Sequence, residues 1–179
     1  MVLLETAGLE TPIGGLVLHV CDGVLCGLSF ADHAEGLRAW TLRRWPGVAM
    51  RESLDPGGHV SRLRGYFAGD LAVLDTIEVD TGGTPFQRRV WSALREIPLG
   101  QTTSYSALAT RLGAPHAVRA VGAANGRNPI AIVVPCHRVI AADGTLCGYG
   151  GGLPRKQWLL DHEKAARAGQ RPLPFDPGG

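Results

Sequence analysis

A cysteine and a histidine stand side by side at Cys136-His137, behind the apolar run Ile130 to Val134 and Pro135. The thiolate form of cysteine is the nucleophile, and a nearby imidazole can take its proton, so the pair is a candidate activated thiol. Neighbouring side chains of an extended chain point apart, so activation requires a turn or an intervening water. A purely structural Cys-His pair is the alternative. Three further thiols, Cys21, Cys26 and Cys147, complete the set. Cys21 and Cys26 with His19 or His33 fit no common structural zinc spacing, and apolar thiols buried in a hairpin account for them. Neither a metal nor a cofactor is expected.

The elements that must position Cys136 lie on both sides of it. Thr84-Pro85-Phe86-Gln87 supplies an N-cap, a proline at the first helical position and a capping-box glutamine, and Phe86, Val90, Trp91 and Leu94 form one apolar face as far as Ile97-Pro98-Leu99-Gly100. Ser104 caps a second helix carrying Tyr105, Leu108 and Leu112, which stops at Gly113; Ala114-Pro115 turns the chain into a third helix through about Asn125. Two short helices joined by a tight turn make a helix-turn-helix pattern, which serves DNA binding in some proteins and plain packing in others. On the third helix Ala117, Ala120, Gly122, Ala123 and Ala124 leave a smooth surface from which Arg119 projects. That surface suits close approach to another body, or packing against a neighbouring helix with Arg119 in solvent. Asn128-Pro129 ends this segment, and Ile130 to Val134 reads as a buried extended stretch. Beyond Val139-Ile140 come a turn at Asp143-Gly144, the run Gly148-Tyr149-Gly150-Gly151-Gly152, and a last helix opened by Pro154 that carries Trp158, Leu159 and Glu163. Gln170 to Gly179 reads as a frayed tail.

Upstream, Val2 to about Phe30 reads as strands, with Gly14-Gly15 and Asp22-Gly23 as turns. Ala34 to Arg44 and Val60 to Ala68 have helical spacing. The chain thus divides into a small α/β domain over residues 1–80 and a mostly helical domain over 81–179, with Thr81-Gly82-Gly83 as hinge. A net charge of +2 is too small to argue for nucleic acid by itself. Lysine occurs only at 156 and 164, and the remaining cationic side chains are arginines, which suit phosphate contact but also follow from genome composition. No apolar run reaches the length of a membrane span and no secretory leader is evident, so a cytoplasmic protein with reduced thiols is expected.

The run Asn128-Pro129-Ile130-Ala131-Ile132-Val133-Val134-Pro135-Cys136-His137-Arg138-Val139-Ile140 resembles the active-site signature of the methylated-DNA–protein-cysteine methyltransferases, or O6-alkylguanine-DNA alkyltransferases. Further matches lie in order at Phe86-Gln87, Val90-Trp91, Thr103-Ser104-Tyr105, Ala117 to Gly122, Gly148-Tyr149 and Trp158-Leu159-Leu160 with Glu163. The likeness covers Thr84 to Glu163 strongly and the first domain loosely, and it is to the stand-alone repair type, without the metal-binding half of adaptive-response members.

The resemblance implies a ribonuclease H-like first domain, a helix-turn-helix second domain, and a stoichiometric repair reaction on double-stranded DNA containing O6-alkylguanine, with O4-alkylthymine a further candidate substrate, by a monomer without an obligate protein partner. It implies that Cys136 accepts the alkyl group, that His137 takes the thiol proton through a water, and that Glu163 orients His137. Tyr105 is implied to donate to N3 of the base, Asn128 to brace the cysteine turn, and the backbone of Cys136 and Val139 to read the guanine edge. Tyr149 and Gly150 would wall the pocket, with Cys147 and Ala131 setting its size. Arg119 would fill the gap left by a flipped nucleotide, while Ser104, Ala117, Val118, Gly122 and Arg138 would contact DNA from the minor groove. Two rivals remain: a lesion binder without a nucleophile, which Cys136 argues against, and a cysteine hydrolase, which leaves Tyr105, Asn128, Arg119 and Glu163 unexplained.

Overall fold

The computed structural model describes residues 2–171 and 174–178 and divides into two compact units. The first holds the chain up to Gly82 together with Pro129–Val133, and the second holds Gly83–Asn128 and everything from Val134 onward. The two contiguous domains read from the sequence therefore need amending, because a five-residue piece of the later chain belongs with the first unit.

In the first unit β1 (Leu4–Thr11), β2 (Gly14–Cys21) and β3 (Val24–Phe30) form an antiparallel meander. Asp22 and Gly23, both at positive φ (47° and 85°), make the β2–β3 turn, as Asp-Gly between apolar runs suggests. The first turn lies one step earlier than the glycines imply. Pro12 and Ile13 make it, Thr11 Oγ1 donates to the Gly14 carbonyl at 2.6 Å, and Gly14-Gly15 open β2. Helix α1 (Ala34–Arg44) then carries the chain to β4 (Met50–Glu52), which pairs parallel to β1, giving the order β3-β2-β1-β4. Strand β4 has three residues and no buried side chain, so no apolar alternation announced it. Helix α2 (His59–Phe67) packs Val60, Leu63 and Tyr66 into the core with Leu4, Leu18, Leu25 and Leu28.

The second unit is mostly helical. Helix α3 (Pro85–Arg95) begins with a complete capping box: the Gln87 amide donates to Thr84 Oγ1 at 3.2 Å, and the Thr84 amide donates to Gln87 Oε1 at 2.9 Å. Gly83, at φ 80°, lets the chain pass against Trp91, since a Cβ there would lie 2.5 Å from the indole. Strand β5 (Thr103–Ser104) leads into α4 (Tyr105–Arg111), capped by Ser104 Oγ, which accepts from the Ala107 amide at 3.0 Å. Helix α5 (Val118–Gly126) follows a turn at Gly113 to Ala117, and Trp91 Nε1 donates to the Ala124 carbonyl at 2.8 Å, fixing its end against α3. Strand β6 (Val139–Ile140) pairs parallel to β5, and α6 (Leu153–Arg167) closes the unit. The tail expected from Gln170 carries no helix or strand over 171 and 174–178; Pro172, Leu173 and Gly179 lie outside the described residues. No described helix is long and apolar enough to cross a membrane.

Candidate active site

The approach to Cys136 is a sequence of tight turns, where the sequence suggested an extended stretch. Ile130 makes one bridge to Leu28, and the chain then reverses at Ile132, a fully buried β-branched residue at φ 70°. The Val133 amide closes this turn on the Ala131 carbonyl at 2.7 Å. Such a conformation is strained for a branched side chain and persists only where its surroundings dictate it. An apolar run does not distinguish a strand from a buried turn, which is why the sequence reading failed here.

In the second unit Pro135 (φ −83°, ψ 65°) occupies the centre of an inverse γ-turn, with the Cys136 amide donating to the Val134 carbonyl at 2.8 Å. Asn128 Nδ2 donates to the same carbonyl at 2.7 Å, locking the turn from outside. One 3-10 turn, Cys136–Arg138, then carries both side chains in place of the extended chain that would point them to opposite sides.

His137 is fully buried, and its Nε2 lies 2.8 Å from Glu163 Oε1 on α6. Burial pushes the imidazole pKa down, outweighing the opposing pull of Glu163, so the ring is neutral. Burial pushes the Glu163 carboxyl up, but His137 and Arg138 outweigh it and hold it well below the usual carboxylate range. An ionised carboxylate only accepts, so Nε2 carries the imidazole proton and Nδ1 keeps its lone pair. Nδ1 has no hydrogen-bond partner among the described residues. It is the nitrogen able to receive a proton.

Burial also raises the Cys136 thiol pKa, opposed by Asn128, by the Lys156 charge and by the backbone amides of Cys136 and His137. The resting group is thus a thiol, surrounded by donors that would stabilise its thiolate. Tyr105 is likewise pushed up, to about 12, by burial and by Cys147 and Cys136, so it is a proton donor at neutral pH. Its hydroxyl lies 3.5 Å from the carbonyls of both Cys147 and Gly148. Tyr149 is half-buried, and burial and then Cys136 raise its pKa well above the ordinary phenol.

Arg138 was expected to contact DNA, and its structure contradicts that. The side chain is 4% exposed; Nε and NH2 donate to the two Glu163 oxygens at 2.8 and 2.9 Å, and NH1 donates to the Ile97 carbonyl at 2.8 Å. Every nitrogen of the fork has a partner inside the protein. Arg119, by contrast, is exposed on α5 with Ala120 and Ala123, while Ala117 and Val118 are half-buried. Gly122 turns toward the Tyr105 ring, where a Cβ would make an ordinary contact at 3.8 Å. Ser104 spends its hydroxyl on the α4 cap and on Ser106. Gly150 is exposed and Cys147 half-buried, whereas Ala131 sits in the first unit, its amide bonded to the Leu28 carbonyl at 2.9 Å.

Two residues escaped the sequence reading. Lys156 is fully buried, and its Nζ donates to the carbonyls of Val139 at 2.6 Å, Cys147 at 2.8 Å and Gly148 at 3.4 Å. It ties the segment after Cys136 to the loop before Tyr149. The signal was present, because Lys156, Leu159, Leu160 and Glu163 share one helical face and a lysine on an apolar stripe needs a reason. Asn125 is 4% exposed at the end of α5, and its side chain opposes the rise in the Tyr105 pKa.

Residues 85–165 match the family model described as the DNA-binding domain of 6-O-methylguanine DNA methyltransferase. A methylated-DNA–protein-cysteine methyltransferase of Salmonella typhimurium is 62% identical over 168 residues, spanning 91% of this chain and 97% of its own. One from Mycolicibacterium paratuberculosis is 49% identical over 164 residues, with 90% and 93% covered. Among solved structures, Mycobacterium tuberculosis OGT in complex with DNA superposes with a TM-score of 0.77 at 42% identity, covering 90% of this chain and 94% of that one. With near-complete coverage at such identity, and with the histidine after Cys136 paired to the glutamate as described, the chain belongs to the methylated-DNA–protein-cysteine methyltransferase family.

Proposed function

We propose that this protein repairs DNA by moving the alkyl group of O6-alkylguanine onto Cys136. The observation that carries the reading is the buried pair of His137 and ionised Glu163, which leaves Nδ1 free as a base on the residue next to Cys136, whose ionisation Asn128, Lys156 and two backbone amides favour. His137 takes the Cys136 proton through a water, the sulfur attacks the alkyl carbon, and the carbon–O6 bond breaks with its electrons moving into the guanine ring. Tyr105 hydrogen-bonds N3 and eases that departure. The product is a thioether, which has no carbonyl for water to attack, so each molecule acts once.

Reaching O6 requires the nucleotide to leave the stack. The exposed position of Arg119 on α5 supports a gap-filling role, and the α4–α5 pair with its short turn supports a helix-turn-helix laid in the minor groove of double-stranded DNA. The β3-β2-β1-β4 sheet, with a fourth strand parallel to the first, supports a ribonuclease H-like first unit. Tyr149 and Gly150 wall the pocket, with Cys147 lying against Tyr105. Four free thiols suit a reducing compartment such as the cytoplasm.

The test is intact-mass measurement after mixing with a duplex carrying O6-methylguanine. A gain of one methyl group on Cys136, with guanine restored in the DNA, is expected. Cys136→Ser should bind the duplex and gain nothing. Multiple turnover on small esters without DNA dependence would instead mark a hydrolase.

A further inference from the structure

The first turn of α6 carries a cation into the interior of the second unit. Lys156 is fully buried, and its partners are three backbone carbonyls: Val139 at 2.6 Å, Cys147 at 2.8 Å and Gly148 at 3.4 Å. An ammonium has three protons and no acceptor, so this one engages every donor inside the protein and has none left for a substrate. No carboxylate pairs with it among the described residues. Burying a charge without an opposite charge is costly, and an apolar side chain of the same length would fill the space at less cost. A cation kept there has a use that packing does not supply.

The three carbonyls belong to two pieces of chain, one leaving the Cys136 turn and one facing Tyr105. Val139 follows that turn directly, and its amide donates back to the Cys136 carbonyl. Cys147 and Gly148 lie outside any helix or strand, and no backbone amide donates to either carbonyl among the described residues. Their other donor is the Tyr105 hydroxyl, 3.5 Å from both, at the outer limit of hydrogen bonding. Lys156 is therefore the nearest anchor of this loop. One nitrogen sets the loop's place relative to Val139, and with it how the two carbonyls stand against the phenol.

Building on the alkyltransferase reading, we propose that Lys156 is a positioning residue for methyl transfer. By gathering the Val139, Cys147 and Gly148 carbonyls on one ammonium, it sets the distance between the strand that follows Cys136 and the loop against Tyr105, and so holds the alkylated base in line with the sulfur. It touches neither the base nor the thiol. Displacement at carbon needs the entering and leaving atoms nearly in line, and a misplacement of about 1 Å costs on the order of a hundredfold in rate.

A protein that reacts once separates positioning from folding, because the amplitude of transfer counts competent molecules while the rate constant reports how well each is arranged. Methyl transfer is followed with an O6-methylguanine duplex in excess. Lys156→Met keeps the length of the side chain and removes the ammonium. Its rate constant at saturating duplex should fall about tenfold or more, while the amplitude and the duplex concentration giving half the maximal rate stay near those of the wild type. Lys156→Arg keeps the charge, but a planar fork cannot bring three carbonyls to one nitrogen, so it should recover only part of the loss. A purely structural role would lower the amplitude and leave the rate constant of the surviving molecules unchanged. That outcome, or full recovery by Lys156→Arg, would overturn the inference. A second measurement leaves Lys156 in place. It and the exposed Lys164 are the two lysines of the chain, so isotopic labelling of lysine nitrogen gives two ammonium signals in a magnetic resonance spectrum. In Cys136→Ser protein the Lys156 signal should move on adding the O6-methylguanine duplex and stay in place with the unmodified duplex. A signal that responds alike to both would overturn the inference whether or not a Lys156 variant folds. Absence of methyl transfer by the wild type would overturn the alkyltransferase reading together with it, whereas a wild-type rate constant in Lys156→Met overturns the inference alone.

Discussion

Arg138→Met tests whether the arginine after the Cys-His pair belongs to DNA or to the protein interior. The substitution keeps an unbranched side chain of similar length and removes the three donors that reach Glu163 and the Ile97 carbonyl. Glu163 is fully buried, and without Arg138 its carboxylate loses its guanidinium partner and keeps neutral donors such as His137 and the Gly100 amide. Removing one partner of a buried ion pair costs about 3–5 kcal/mol, because the remaining charge is uncompensated. For a chain of this size that corresponds to a fall in melting temperature on the order of 10 °C. Adding Glu163→Gln to Arg138→Met removes the stranded charge and should restore more than half of the loss. Thermal unfolding followed by circular dichroism measures both. A phosphate contact behaves differently: its loss leaves stability alone and reduces the slope of log affinity against log salt by about 1. A variant that melts with the wild type, or one whose salt slope falls by that amount, would refute the buried assignment.

Three further outcomes are expected. Thr84→Ala removes half of the capping box on α3 and should cost about 1 kcal/mol, seen as a small drop in the denaturant midpoint with an unchanged slope. His19 is held neutral, its pKa lowered to about 4 by burial and then by Arg38, with Nδ1 2.7 Å from Thr41 Oγ1. Above pH 6.5 both folded and unfolded forms are neutral and its contribution is intact; between pH 6.5 and 4 only the unfolded chain takes the proton, so stability falls by at most about 3 kcal/mol. His19→Gln should flatten the dependence of melting temperature on pH in that window, and an unchanged profile would exclude His19 as its source. Cys147 lies against the Tyr105 hydroxyl, so Cys147→Gly should speed transfer from O6-benzylguanine relative to O6-methylguanine, and a ratio unmoved by it would place the thiol outside the pocket.

What the sequence determined by itself were the features carried by local chemistry. Thr84-Pro85-Phe86-Gln87 specified the start of α3, Asp22-Gly23 the hairpin between β2 and β3, and Ser104 the cap of α4, because each depends on a backbone conformation or hydrogen bond made within a few residues. The ordered run around Cys136 identified the family for a similar reason, since residues that must act together in one small site leave a pattern along the chain. Tertiary structure decided the partners. Arg138 looked like a surface cation next to a DNA-binding element, yet Glu163 lies 25 residues away and only folding brings its carboxylate to the guanidinium. Lys156 depends in the same way on carbonyls from other elements. The reversal at Ile132 was hidden as well, because an apolar run satisfies burial equally as a strand or as a turn, and the choice rests on long-range hydrogen bonds such as Ala131 to Leu28.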